Sequence, residues 1–189
     1  YPISKLKDDA HYWLGYVSSF SAELLRKKNK QQALQEYKTS IQHFKNSDPT
    51  ALTQSQQQER WYLIGRAWWF LDNISKTEDA WQQYLKQSKS IKPEKALNLK
   101  YQLAAKFQQI KKYEQAESWF ARIVKDHPDS KLAAGSSFWR AEMAYAASLQ
   151  QTETADLGPK SVRRLVNNYK IYLAKKDKKH LPLAYYRIG

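Results

Sequence analysis

The sequence predicts an all-α chain, a right-handed solenoid of four helical hairpins and the start of a fifth. Three observations carry this expectation. Glycine and proline are scarce, five and six in 189 residues, too few for a sandwich or barrel with regular turns or for an α/β fold with several Gly-rich loops. A column of small residues recurs, each with an aromatic three places before it. A second column, small or aliphatic, has an aromatic four places after it.

The first column is Gly15, Gly65, Ala104, Ala141 and Gly189, preceded by Tyr12, Tyr62, Tyr101, Phe138 and Tyr186. The opening Tyr1-Pro2-Ile3-Ser4-Lys5-Leu6 with Tyr12-Trp13-Leu14-Gly15 returns at identical spacing as His127-Pro128-Asp129-Ser130-Lys131-Leu132 with Phe138-Trp139-Arg140-Ala141. A small residue at a helix crossing lets a neighbour approach closely, at a propensity cost of about 1 kcal/mol for glycine. The second column pairs Ala33 with Tyr37, Ala80 with Tyr84, Ala116 with Phe120, and Leu165 with Tyr169. Residues four apart share a helix face, so each pair marks the buried stripe of a second helix whose aromatic fills the space beside the crossing. Turn-prone clusters separate the helices: Lys27-Lys28-Asn29-Lys30, Asp72-Asn73-Ile74-Ser75 and Gly158-Pro159-Lys160. The expected hairpins are 8–45, 58–90, 95–127 and 133–175, with another starting at 182. A lone hairpin cannot bury both faces, so neighbours stack into one solenoid segment.

Composition narrows the function classes. With 42% apolar and 14% aromatic residues the chain can build a core, and 32 basic against 18 acidic residues give +14, a bias toward anionic partners. Without cysteine, disulfides, thiolate zinc sites, iron–sulfur clusters and Cys nucleophiles are excluded. The densest apolar stretch, Trp61 to Leu71, is interrupted by Gly65 and Arg66, short of the roughly 18 residues of a membrane span. The sequence opens without an initiator Met, on residues that close a repeat, and stops inside a first helix. A segment of a longer array is the expectation.

These residues resemble the tetratricopeptide repeat. Ala104, Ala116, Phe120 and Pro128 fit that family's small, small, aromatic and proline positions over 97–130, and Leu103 and Phe107 fall where it wants apolar groups. Tyr1-Pro2-x-Ser4 leading into Ala10-x-Tyr12-Trp13-Leu14-Gly15 is similar to bacterial envelope members, of the outer-membrane assembly lipoprotein and Tol-Pal-associated cell-division coordinator type. The crossing column, at 15, 65, 104, 141 and 189, is spaced wider than the family's repeat of about 34 residues. The resemblance implies a concave surface lined by first helices. It would carry Tyr12, Tyr62, Tyr101, Phe138 and Tyr186 as a ladder, flanked by Trp13, Tyr16, Arg66, Trp69, Trp139 and Glu142. The ladder reads equally as core or groove. Trp13 and Trp139 hold a position where sister repeats have Leu63, Gln102 and Arg187, which argues for solvent access and a binding hot spot.

Catalytic constellations are absent. His11, His43, His127 and His180 are scattered and read as surface residues, His127 at a helix end; no His-Glu-x-x-His occurs, and the carboxylates fall mainly on expected outer faces. Gly158-Pro159-Lys160-Ser161 lacks the phosphate-loop spacing and reads as a helix N-terminus. No Gly-x-Ser-x-Gly elbow is present. Basic residues gather from 158 onward, Lys160, Arg163, Arg164, Lys170, Lys175, Lys176, Lys178, Lys179 and Arg187 against Asp177 alone, with Lys175 to Lys179 in a turn between hairpins. A non-enzymatic scaffold follows, without cofactor, metal or membrane span, holding a peptide or protein partner of acidic character. The resemblance places it in the periplasm or at the outer membrane, with the cytoplasm as the other option. Two alternatives differ in class. One is the non-catalytic superhelix of a lytic transglycosylase, which Leu181-Pro182-Leu183-Ala184-Tyr185-Tyr186 resembles. The other is a basic helical repeat that stacks nucleic-acid bases, binding that salt would weaken steeply.

Overall fold

The computed structural model describes residues 3–86, 91–151, 159–175 and 179–188. Regular structure there is entirely helical, as expected. The helices are α1 (Ile3–Leu25), α2 (Lys30–Asn46), α3 (Gln54–Phe70), α4 (Ile74–Lys86), α5 (Pro93–Gln109), α6 (Tyr113–Asp126), α7 (Lys131–Gln151), α8 (Pro159–Ala174) and α9 (Leu181–Ile188), with a 3-10 turn at Pro49–Ala51. Contacts divide the chain into two compact units, Tyr1–Ile91 and Lys92–Gly189, and within each unit helices adjacent in sequence pack on one another. Among the described residues no helix is long and apolar enough to cross a membrane. The Tyr1-Pro2 phrase, Lys176, Lys178 and Gly189 lie outside the described residues.

Local chemistry sets the helix ends. Asn29 caps α2, its side-chain oxygen accepting from the Gln32 N–H at 3.1 Å. Thr53 and Gln56 form a reciprocal capping box at the start of α3. Pro93 and Pro159 open α5 and α8, where a missing N–H costs nothing, so Pro159 starts a helix as its sequence context implies. The α3–α4 and α5–α6 turns share one geometry. Asp72 (φ 55°) and Lys111 (φ 60°) are left-handed, and the following N–H groups of Asn73 and Lys112 reach back to the carbonyls of Trp68 (3.0 Å) and Phe107 (2.9 Å). Backbone groups orphaned at the helix end are thereby paired.

In the first unit, α1 packs on α2 and α3, and α3 on α4. Tyr12, Phe44, Leu52, Leu63, Ile64 and Ala80 form one core cluster; Ala22, Tyr37, Ile41 and Ala67 form another. The two described glycines of the crossing column, Gly15 and Gly65, are required by shape. A Cβ on Gly15 would sit 2.8 Å from Phe44 Cδ1, and one on Gly65 2.1 Å from Trp81 Cδ1. The aromatics laid across the glycines are thus Phe44 and Trp81, whereas the signature residues Tyr37 and Tyr84 are buried elsewhere, Tyr37 stacked on Phe70 and Tyr84 against Tyr62. In the second unit, Phe138, Ala141, Tyr169, Tyr172 and Ala184 join α7, α8 and α9. All four second-helix pairs of the sequence pattern are buried, as are Ala104 and Ala141.

Candidate functional site

In the second unit, the first helices of successive hairpins share a groove. Burial of Ala104 and Ala141 at the crossings turns the residues one helical turn further on, Gln108 and Tyr145, toward a common cavity of about 620 Å³. Gln108 and Gln109 of α5, Trp139, Glu142, Met143, Tyr145 and Leu149 of α7, and Arg187 of α9 line it. That volume lies in the range of ligand pockets, about 300–1,000 Å³. Trp139 stands edge-on to Phe138 (5.4 Å, 71°) and to His180 (5.9 Å, 62°), so the half-buried indole is held in place.

A carboxylate anchors the groove wall. Glu142 accepts from the Tyr169 hydroxyl of α8 and from Arg187 Nε (3.4 Å) and Nη2 (3.5 Å) of α9, tying three helices together. The Arg187 guanidinium also sits 4.1 Å above the Tyr145 ring. Burial and the hydrogen bond to Glu142 hold the Tyr169 phenol far above its ordinary pKa.

The expected ladder does not form as a whole. Tyr12 and Phe138 are each 1% exposed; three places before a crossing, the ring turns toward the second helix. Tyr12 lies 6.0 Å from Phe44 and gives its hydroxyl to Glu59 at 3.0 Å, and Phe138 lies 5.3 Å from Tyr172. Tyr62 and Tyr101 are half-buried against Tyr84 and Phe120 of their own hairpins, while Tyr186 on α9 is 78% exposed. Tyr16 packs on the Tyr12 cluster. Trp69 stacks on Trp81 (5.6 Å, 21°), and Arg66 is paired with Glu23 at 2.6 Å. Trp13 is 53% exposed, as its tolerant position implies, but it belongs to a stripe along α1 with Val17, Phe20 and Leu24, all exposed. Of the basic turn, Lys175 donates to the Pro128 carbonyl at 3.3 Å and Lys179 is exposed.

The carboxylates refine a second expectation, since Glu117 and Glu142 are only 12% and 13% exposed and several others are tied to basic or phenolic partners. Glu23 accepts from the Tyr37 hydroxyl and from Arg26, both at 3.0 Å, besides Arg66, and Glu117 holds Arg140 and Arg164. Asp126 takes Lys100 at 2.7 Å. Glu23, Glu59 and Glu117 went unmarked in the sequence because they share no column. The histidines are also more engaged than a surface reading allows. His11 and His43 meet across α1 and α2 with Nδ1 atoms 3.1 Å apart, and His180 stacks on Phe138 at 4.2 Å. His127 caps the C-terminus of α6, as expected. Burial, then the nearby Lys100 ammonium, lowers its pKa. Among the described residues no three His, Cys, Asp or Glu side chains converge to hold a metal ion. The chain matches no family model and no curated protein.

Proposed function

We propose that the chain is a non-enzymatic scaffold of the tetratricopeptide-repeat type, a right-handed solenoid that holds a peptide segment of a partner protein against its first helices within a bacterial envelope complex. The observation that carries this reading is the groove of α5, α7 and α9. Trp139 offers a rigid aromatic anchor, Met143 an adaptable apolar surface, and Gln108 and Gln109 supply amides that can pair with an extended backbone. The net charge of +14 favours an acidic segment. Placement in the envelope rests on the Tyr1-Pro2 phrase of the sequence and the residues that follow it.

Selection from a displayed random peptide library, followed by titration of the selected peptide into labelled protein, tests the proposal. Saturable shifts of the Trp139 indole and of the Gln108 and Gln109 side-chain amides are expected. Trp139→Ala should weaken binding by on the order of 2 kcal/mol, mainly through faster dissociation. A folded Trp139→Ala protein that binds as wild type overturns the assignment. Should that variant unfold, Gln108→Ala together with Gln109→Ala decides: unchanged affinity removes the groove.

A further inference from the structure

A separate cavity in the first unit lies between α2 and α4 over the side of α3. It encloses about 230 Å³ and is lined by Lys45, Arg60, Trp61, Trp68, Lys76 and Asp79. At ~30 Å³ per water this is room for roughly eight waters, or one ring-sized organic group. Arg60 is only 7% exposed, and its Nε–H has no hydrogen-bond partner among the described residues. Buried polar groups almost always have one, so this unpaired donor calls for an acceptor. Asp48 acts on Arg60 electrostatically, but it is exposed and its carboxylate accepts from the Thr50 N–H at 2.8 Å.

The walls repeat one arrangement. The Lys76 ammonium lies 4.3 Å and that of Lys45 6.0 Å from the Trp68 ring, and the Arg60 guanidinium lies 5.3 Å from the Trp61 ring. Among the described residues, three cations therefore border one small space with two indole faces, against the carboxylate of Asp79 alone. We propose that this cavity binds a carboxylate carried on a flat apolar body, with Arg60 as the partner of the anionic head and Trp61 and Trp68 as the seat of the body. A guanidinium matches a carboxylate in fork geometry, and two further ammonium groups add attraction. A free aromatic acid and an acidic residue beside an aromatic one in a peptide both present this chemistry. Inorganic phosphate supplies the charge without the body.

The indole N–H signals of Trp61 and Trp68, assigned from single Trp→Phe variants, report occupancy. Benzoate, a capped peptide containing Phe-Glu, and benzamide as the neutral isostere are titrated into the intact chain. Saturable movement of both signals is expected with benzoate, with the peptide or with both, at a Kd of about 1 mM or tighter; which of them binds identifies the source. Benzamide should leave the signals in place. Arg60→Gln should weaken binding roughly tenfold or more. Lys45→Gln with Lys76→Gln, both at exposed positions, should weaken it severalfold in a folded protein. Failure of benzoate and peptide alike, equal shifts with benzamide, or unchanged affinity in the lysine variant overturns the proposal. If Arg60→Gln unfolds, the lysine variant decides alone.

Discussion

The two units treat the same place in the hairpin differently. One turn past the crossing residue, the first unit has Trp69, stacked on Trp81 of the second helix, which fills the space beside α3. In the second unit the matching places hold Gln108 and Tyr145, which line the open groove. The crossing residue follows suit: Gly65 leaves room for Trp81, while Ala104 and Ala141 are buried without such a demand. One helical frame thus gives a face sealed by an indole pair beside Gly65 and an open one in the second unit, while beside Gly15 the same place holds the buried Ser19.

Removing the seal should have the largest effect. Trp81 is 2% exposed and donates Nε1–H to the Tyr62 carbonyl at 3.2 Å, so Trp81→Ala should destabilise the first unit by about 3–5 kcal/mol in urea unfolding. Gly65→Ala should cost about 1–3 kcal/mol through overpacking, less the roughly 1 kcal/mol gained in propensity. In a Trp81→Leu background the same change should become neutral or stabilising, because the obstructing ring is gone. If Gly65→Ala is as stable as wild type with Trp81 present, the contrast between the units is broken.

The carboxylate ties sharpen the comparison at intermediate size. Glu142 and Glu23 each join a second-helix tyrosine to an arginine of the next first helix, but Glu142 is 13% exposed and Glu23 30%. Glu142→Gln should lose about 1–3 kcal/mol. Glu23→Gln should lose no more than about 1 kcal/mol, because solvent screens its ion pairs. Equal losses would show that burial does not set the strength of these ties.

Tyrosine ionisation gives a pH test in both units. Burial foremost, with a carboxylate hydrogen bond added, raises Tyr37 and Tyr169 far above the ordinary phenol pKa near 10. The folded state then keeps protons that the unfolded chain releases. Their contribution is complete below about pH 10 and declines above it, by up to about 1.4 kcal/mol per pH unit for each tyrosine, until the folded value is reached. Urea unfolding at stepped alkaline pH should show this decline, and Tyr169→Phe should remove one share of it. An unchanged slope in that variant would mean that Tyr169 titrates alike in both states.

The hairpin pattern was legible because its causes are local: a small residue where helices cross and an i, i+4 stripe where a second helix is buried. What crosses each glycine was not, since Phe44 and Trp81 sit at different registers of their helices. Glu23 lies two turns past Gly15, whereas Glu142 directly follows Ala141, so no column reveals their shared role. Trp139 and Glu142 were found from position, yet the groove they border also needs Gln108 and Arg187 from two other helices. Arg60 offers no sign in sequence that it is buried. Its value lies in the space between three helices, which periodicity along one helix does not encode.

The smallest effect separates contact from long-range attraction at the open groove. Lys175 donates to the Pro128 carbonyl at 3.3 Å and Lys179 is exposed, while Lys176 and Lys178 lie outside the described residues. Changing all four to Gln should move stability by no more than about 0.5 kcal/mol, the usual range for surface substitutions. Hydrated, flexible ammonium groups act chiefly on encounter. Association of an acidic groove peptide should therefore slow severalfold, and its salt dependence should flatten, while dissociation stays near the wild-type rate. Trp139→Ala should do the reverse, because the indole contributes only once the complex has formed. Stopped-flow kinetics at two ionic strengths distinguishes them. If the lysine variant instead dissociates faster with an unchanged on-rate, those side chains touch the bound peptide and the groove extends to the α8–α9 turn.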